Sequence, residues 1–113
     1  MNITAETHGH AVILNLEGEL NEDSLSAFDV AVGHYFSGRE AVDLVLNLSK
    51  VPFVDSAALE RLLKLQETLG AELGWLKLVK CNDNVRQILE LTRLDSTLSI
   101  FEDVPEAVKD GQP

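Results

Sequence analysis

Residues 41–48, Ala-Val-Asp-Leu-Val-Leu-Asn-Leu, form an almost unbroken apolar run between two stretches of helical periodicity. A strand with one wet face alternates apolar and polar residues; one covered on both faces does not. This segment therefore reads as a central strand with helices above and below it. Strands separated by helical crossovers lie parallel, because a tight turn cannot bring the chain back in the same direction.

The rest of the chain fits that frame. Residues 2–7 read as a weak strand, Gly9 as a turn, and residues 10–17 as a stronger strand with Val12, Leu14 and Leu16 on one face. So short a turn makes this first pair an antiparallel hairpin. Asn21, Asp23 and Ser24 are alternative caps for a helix carrying Leu25, Phe28, Val32, Tyr35 and Phe36 at helical spacing and stopped by Gly38. After Pro52 comes the clearest helix, with Leu59, Leu62, Leu63, Gln66 and Leu69 on one stripe, and Gly70 and Gly74 bracket its end. Residues 75–79 read as a strand, and 83–92 as a helix with Val85, Ile88, Leu89 and Thr92 inward. Residues 97–101 read as a short strand, and 105–109 as a last helical turn capped by Asp103. The expected fold is a single α/β domain over residues 1–109, ordered β-β-α-β-α-β-α-β-α. Its mostly parallel central sheet has an antiparallel N-terminal edge strand and helices packed on it, and residues 110–113 form a short tail.

The chain's 113 residues suffice for one domain. Scaling relations bury about two-thirds of the unfolded surface at this size, so no metal or disulfide staple is required. One cysteine, Cys81, excludes an internal disulfide framework. No signal-peptide pattern and no long apolar span is present, so a cytoplasmic domain without membrane insertion is expected. The formal net charge is −10, with residues 1–40 carrying seven acids against the single base Arg39. Such a chain repels nucleic-acid phosphates and anionic lipid, whereas a protein partner with a basic face suits it.

Catalytic readings find little support. The sequence has no glycine-rich phosphate or dinucleotide fingerprint. His8 and His10 flank the turn glycine without a third ligand at metal-binding spacing, and His34 reads as a favourable charge at a helix C-terminus. Cys81, at a strand end, reads as a small buried hydrophobe. Asp55-Ser56 resembles an acid beside a nucleophile but lacks a base in any recognisable motif. The expectation is a protein that is not an enzyme and holds no metal or cofactor.

Ser56 has another possible role. It stands where the central strand's exit turn meets the first turn of a helix, where backbone N–H groups lack intrahelical partners and the dipole is positive. A phosphoserine there is compatible with the fold, while its charge opposes any partner that docks over the helix start. The other reading of Asp55 and Ser56 is that both are only helix caps.

Three segments together resemble the STAS domain, the family of anti-sigma factor antagonists: residues 16–20 (Leu-Glu-Gly-Glu-Leu), 46–59 (Leu-Asn-Leu-Ser-Lys-Val-Pro-Phe-Val-Asp-Ser-Ala-Ala-Leu) and 85–95 (Val-Arg-Gln-Ile-Leu-Glu-Leu-Thr-Arg-Leu-Asp), followed by Ile100-Phe101 and Glu106-Ala107-Val108. The resemblance implies a partner-switching module. In the family, the unphosphorylated antagonist binds an anti-sigma factor that is also a serine kinase of the GHKL type, and so releases the sigma factor. Phosphorylation of the Ser after the Asp, here Ser56, ends the interaction, and a PP2C-type phosphatase restores it. ATP and magnesium belong to the kinase. The implied partner surface comprises Glu19, Asn21 and Ser24 from the first loop with Asp55, Ser56, Ala57, Ala58 and Leu59 from the second. The chain departs from the family pattern at Asn21, where Asp is usual, at Ala57-Ala58, where a small polar residue and glycine are usual, and at Arg93, where glycine is frequent. A second reading is a non-phosphorylated STAS subunit of a phospholipid-trafficking ABC transporter, or a scaffold in a signalling assembly.

Overall fold

The structure, a computed structural model, describes residues 1–9, 11–36, 43–71 and 74–109. Five strands, β1 (Asn2–His8), β2 (Ala11–Glu17), β3 (Asp43–Lys50), β4 (Trp75–Val79) and β5 (Ser99–Phe101), lie side by side in sequence order. β1 and β2 are antiparallel; every later pairing is parallel, as crossovers by α1 (Leu25–Phe36), α2 (Ser56–Ala71) and α3 (Asp83–Leu91) require. The hairpin turns on Gly9, whose φ of 63° lies where a Cβ is unfavourable.

The apolar run is continuous for the expected reason. Leu44, Leu46 and Leu48 join Val12, Leu14 and Leu16 on one sheet face, under Phe28 of α1, Ala58 and Leu62 of α2, and Val85 and Leu89 of α3. Val45 packs on the other face with Ile13, Val79 and Ala107 of the terminal helix α4 (Val104–Lys109). That second face also buries a charge. Lys77 of β4 is wholly inaccessible; its Nζ donates to the Ala107 carbonyl at 2.7 Å and approaches Asp43 at 3.4 Å. The same ammonium lies 5.0 Å from the Trp75 ring centre, so an aromatic face offsets part of its lost hydration.

Several boundaries differ from expectation. β3 runs on to Lys50, because Lys50 still pairs with Glu17 across a register shift in β2. β5 begins at Ser99 rather than at 97. The preceding residues, Leu94–Ser96, wind into a 3-10 turn closed by Thr97 and Leu98 amides on the Leu94 carbonyl. Thr92 is exposed rather than inward, since its hydroxyl donates back to the Ile88 carbonyl at 2.8 Å. α4 starts at Val104 with Asp103 as its cap, accepting from the Glu106 amide at 2.9 Å. Gly38, the start of the 41–48 run, His10 and residues 110–113 lie outside the described residues.

Candidate docking and phosphoacceptor site

Two loops leave the C-terminal ends of β2 and β3 side by side and are tied together by their backbones. The Leu20 amide donates to the Phe53 carbonyl at 3.1 Å and the Asp55 amide to the Leu20 carbonyl at 3.2 Å, a parallel bridge between Leu20 and Val54. Leu20 and Val54 are themselves buried, so the clamp is anchored in the core.

Asp55 extends that clamp through its side chain. One carboxylate oxygen accepts from the Ala58 amide at 2.8 Å, the usual bond from a cap to the third helical residue. The other accepts from the Glu22 amide in the neighbouring loop at 3.0 Å. A single carboxylate thus caps α2 and fixes the approach to α1. The first loop is braced from within: the Asn21 amide donates to the Ser24 hydroxyl at 3.0 Å, and the Ser24 amide to the Asn21 side-chain oxygen at 3.1 Å. This reciprocal pair plays the part of a capping box. Behind the second loop, Asn82 donates to the Val51 carbonyl and Asn84 to the Pro52 carbonyl, each at 2.9 Å.

Ser56 differs from all of these. It is the first residue of α2, it is exposed, and its hydroxyl bonds to no other described residue. Its own amide and that of Ala57 precede the first helical bond, from the Leu59 amide to the Asp55 carbonyl. The result is an exposed, unengaged hydroxyl directly after a carboxylate whose two oxygens are both engaged.

The implied partner surface divides accordingly. Glu19 and Ser56 are exposed, and Asp55 and Ala57 are half-buried. Asn21 and Ser24 spend their polar atoms inside their loop. Ala58 and Leu59, at 0% and 8% exposure, face the core rather than the surface, because the α2 stripe that packs on the sheet begins with them. Sequence reasoning also passed over Phe53. It is 43% exposed although it lies between the buried Val51 and Val54. The available signal was an aromatic next to a proline, outside any helical or strand periodicity.

The other candidate groups lie elsewhere. His8 is exposed on β1, and His34 in the last turn of α1 meets Tyr35 edge-on. Among the described residues no three His, Cys, Asp or Glu side chains gather as a metal site. Burial pushes the half-buried Cys81 thiol up to about 11, which suppresses its nucleophilic thiolate. No helix among the described residues is long and apolar enough to cross a membrane.

Comparison with known proteins places this geometry in context. The family model of the STAS domain matches residues 2–107. A Thermotoga maritima protein named as a candidate anti-sigma factor antagonist is 29% identical over 99 residues, covering 88% of each chain. A crystal structure of a Thermotoga maritima protein with that same designation superposes with a TM-score of 0.85 at 27% identity, over 96% of this chain and 92% of the other. The crystal structure of an anti-sigma factor antagonist from Mycobacterium paratuberculosis gives 0.81 at 27% identity, over 95% and 90%.

Proposed function

The chain belongs to the STAS domain family, and on that footing we propose that it is an anti-sigma factor antagonist that switches partners through Ser56. Unphosphorylated, it docks its β2–α1 and β3–α2 loops on an anti-sigma factor of the GHKL serine-kinase type. The protein is a binding partner and phosphoacceptor, not a catalyst, and it works in the cytoplasm without contacting nucleic acid or membrane. The observation that carries this reading is the exposed, unengaged Ser56 hydroxyl beside a carboxylate engaged on both oxygens. The same observation favours it over a transporter subunit, which needs no free hydroxyl there.

In the kinase complex, Ser56 Oγ attacks the γ-phosphorus of ATP, its proton passes to a base of the kinase, and ADP leaves. The acceptor gains about −1.5 to −2 charges at neutral pH. Within the chain this charge meets the α2 N-terminus and its open amides, so the fold tolerates it. Across the interface that charge has to give up its water on docking, which is costly for a dianion. Binding ends while the domain stays folded. A PP2C-type phosphatase then hydrolyses the ester and restores the hydroxyl.

The test is labelling by a cognate GHKL kinase with ATP and magnesium. Ser56→Ala abolishes incorporation with thermal stability nearly unchanged, and Ser56→Asp weakens kinase binding by about 1 kcal/mol or more. Labelling that persists in the alanine variant places the acceptor elsewhere, for example at Ser49 or Ser24, and overturns the proposal.

A further inference from the structure

Three residues before Ser56 the structure exposes a large apolar side chain on backbone held by its neighbours. Phe53 is 43% exposed, yet its carbonyl accepts from Leu20, and the carbonyls of the two preceding residues are held by Asn84 and Asn82. The following residue, Val54, is buried and bridged to Leu20. Because the backbone beneath it is already held, docking freezes only the ring's own rotation, which lowers the entropic cost of binding. Exposed acids stand on the two elements bonded to its loop, Glu19, Glu22 and Asp23 on the β2–α1 loop and Asp83 at the start of α3, with the exposed bases Lys50 and Lys80 at the strand ends. An aromatic centre inside a charged rim is the arrangement of binding hot spots, where one desolvated anchor dominates affinity and rim charges govern encounter.

We infer that Phe53 is the apolar anchor of the docking surface, and that its occupant is a protein face with an apolar pocket ringed by lysine or arginine. This rests on the proposed function and adds to it the residue that carries affinity and the chemistry of the partner's face. The division of labour reconciles an acidic rim with release on phosphorylation. Rim acids stay hydrated and steer a basic partner, whereas a phosphate on Ser56 adds charge that must be desolvated.

The experiment measures association of the full unphosphorylated chain with the GHKL kinase that phosphorylates it, by stopped-flow and calorimetry. Phe53→Ala raises Kd by about tenfold or more, chiefly through faster dissociation, and Phe53→Leu restores most of the affinity. The double variant Glu22→Lys, Asp23→Lys lowers the association rate and flattens its dependence on salt. Circular dichroism melts of the Glu22 and Asp23 variant stay near wild type because those side chains are exposed, and the half-covered Phe53 variants stay folded with a melt lowered by a few degrees at most. If Phe53→Ala binds within about twofold of wild type, the anchor is refuted while the kinase partnership stands. A salt-independent association rate that the double variant leaves unchanged refutes the basic face. If no GHKL kinase binds or labels the wild-type chain, the proposed function falls and the anchor falls with it.

Discussion

Replacing Asp55 separates the frame of the site from its reactive group. Its two carboxylate oxygens hold the Ala58 amide at 2.8 Å and the Glu22 amide at 3.0 Å. Loss of the capping bond costs about 1 kcal/mol. The bond to Glu22 lies in solvent, so its removal adds only about 1 kcal/mol more. Asp55→Ala should therefore destabilise the domain by about 2 kcal/mol, which lowers the urea midpoint by about 1–2 M and Tm by about 8 °C. Asp55→Asn keeps one acceptor for the Ala58 amide but turns an NH₂ group towards the Glu22 N–H, so it should cost about 1 kcal/mol. Ser56→Ala, one residue on, removes no bond to any described residue and introduces a better helix former, so it should shift stability by no more than about 0.5 kcal/mol. The assay is urea unfolding followed by far-ultraviolet circular dichroism. An Asp55→Ala variant as stable as wild type, or a Ser56→Ala variant as unstable as Asp55→Ala, would refute the division between the two residues.

Other perturbations reach different parts of the molecule. Lys77→Ala leaves the Ala107 carbonyl and Asp43 without their buried ammonium and should cost about 3 kcal/mol in the same urea assay, with Lys77→Met milder. Arg93 holds a φ of 62° at the exit of α3, so Arg93→Gly should raise stability by about 0.5–1 kcal/mol, read as a higher Tm. The Cys81 thiol, raised by burial from 9.0 to about 11, should react with a disulfide reagent at pH 8 far more slowly than the unfolded chain does. Its linkage sign follows. Because the folded thiol holds its proton more tightly, its contribution is complete below pH 9 and is lost as pH rises towards 11. Stability of wild type relative to Cys81→Ala should decline across that window.

The sequence revealed the fold more fully than the site. Periodicity reports which faces of a strand or helix are covered, and the run around Leu44–Leu48, the α2 stripe and the Gly9 hairpin are all local patterns. Boundaries set by tertiary pairing were less legible: β3 continues to Lys50 only because β2 offers Glu17 as a partner. Thr92 shows the same limit, since a hydroxyl that can bond its own helix has no need of the core. At the site, Asp55 and Ser56 could be marked as helix start, but not that Asp55 reaches Glu22, a contact across 33 positions. Ala58 and Leu59 stand beside Ser56 in the sequence and share its implied surface, but a helix turns them inward within one turn. The exposure of Phe53 came from loop bracing by α3, which no local pattern records.

The most direct test is phosphopeptide mass spectrometry of the chain recovered from its native cells. The account predicts a phosphate on the peptide that starts α2, located at Ser56, in protein whose circular dichroism matches the unmodified form. Phosphate confined to another residue, or a phosphorylated form that is unfolded, would contradict it.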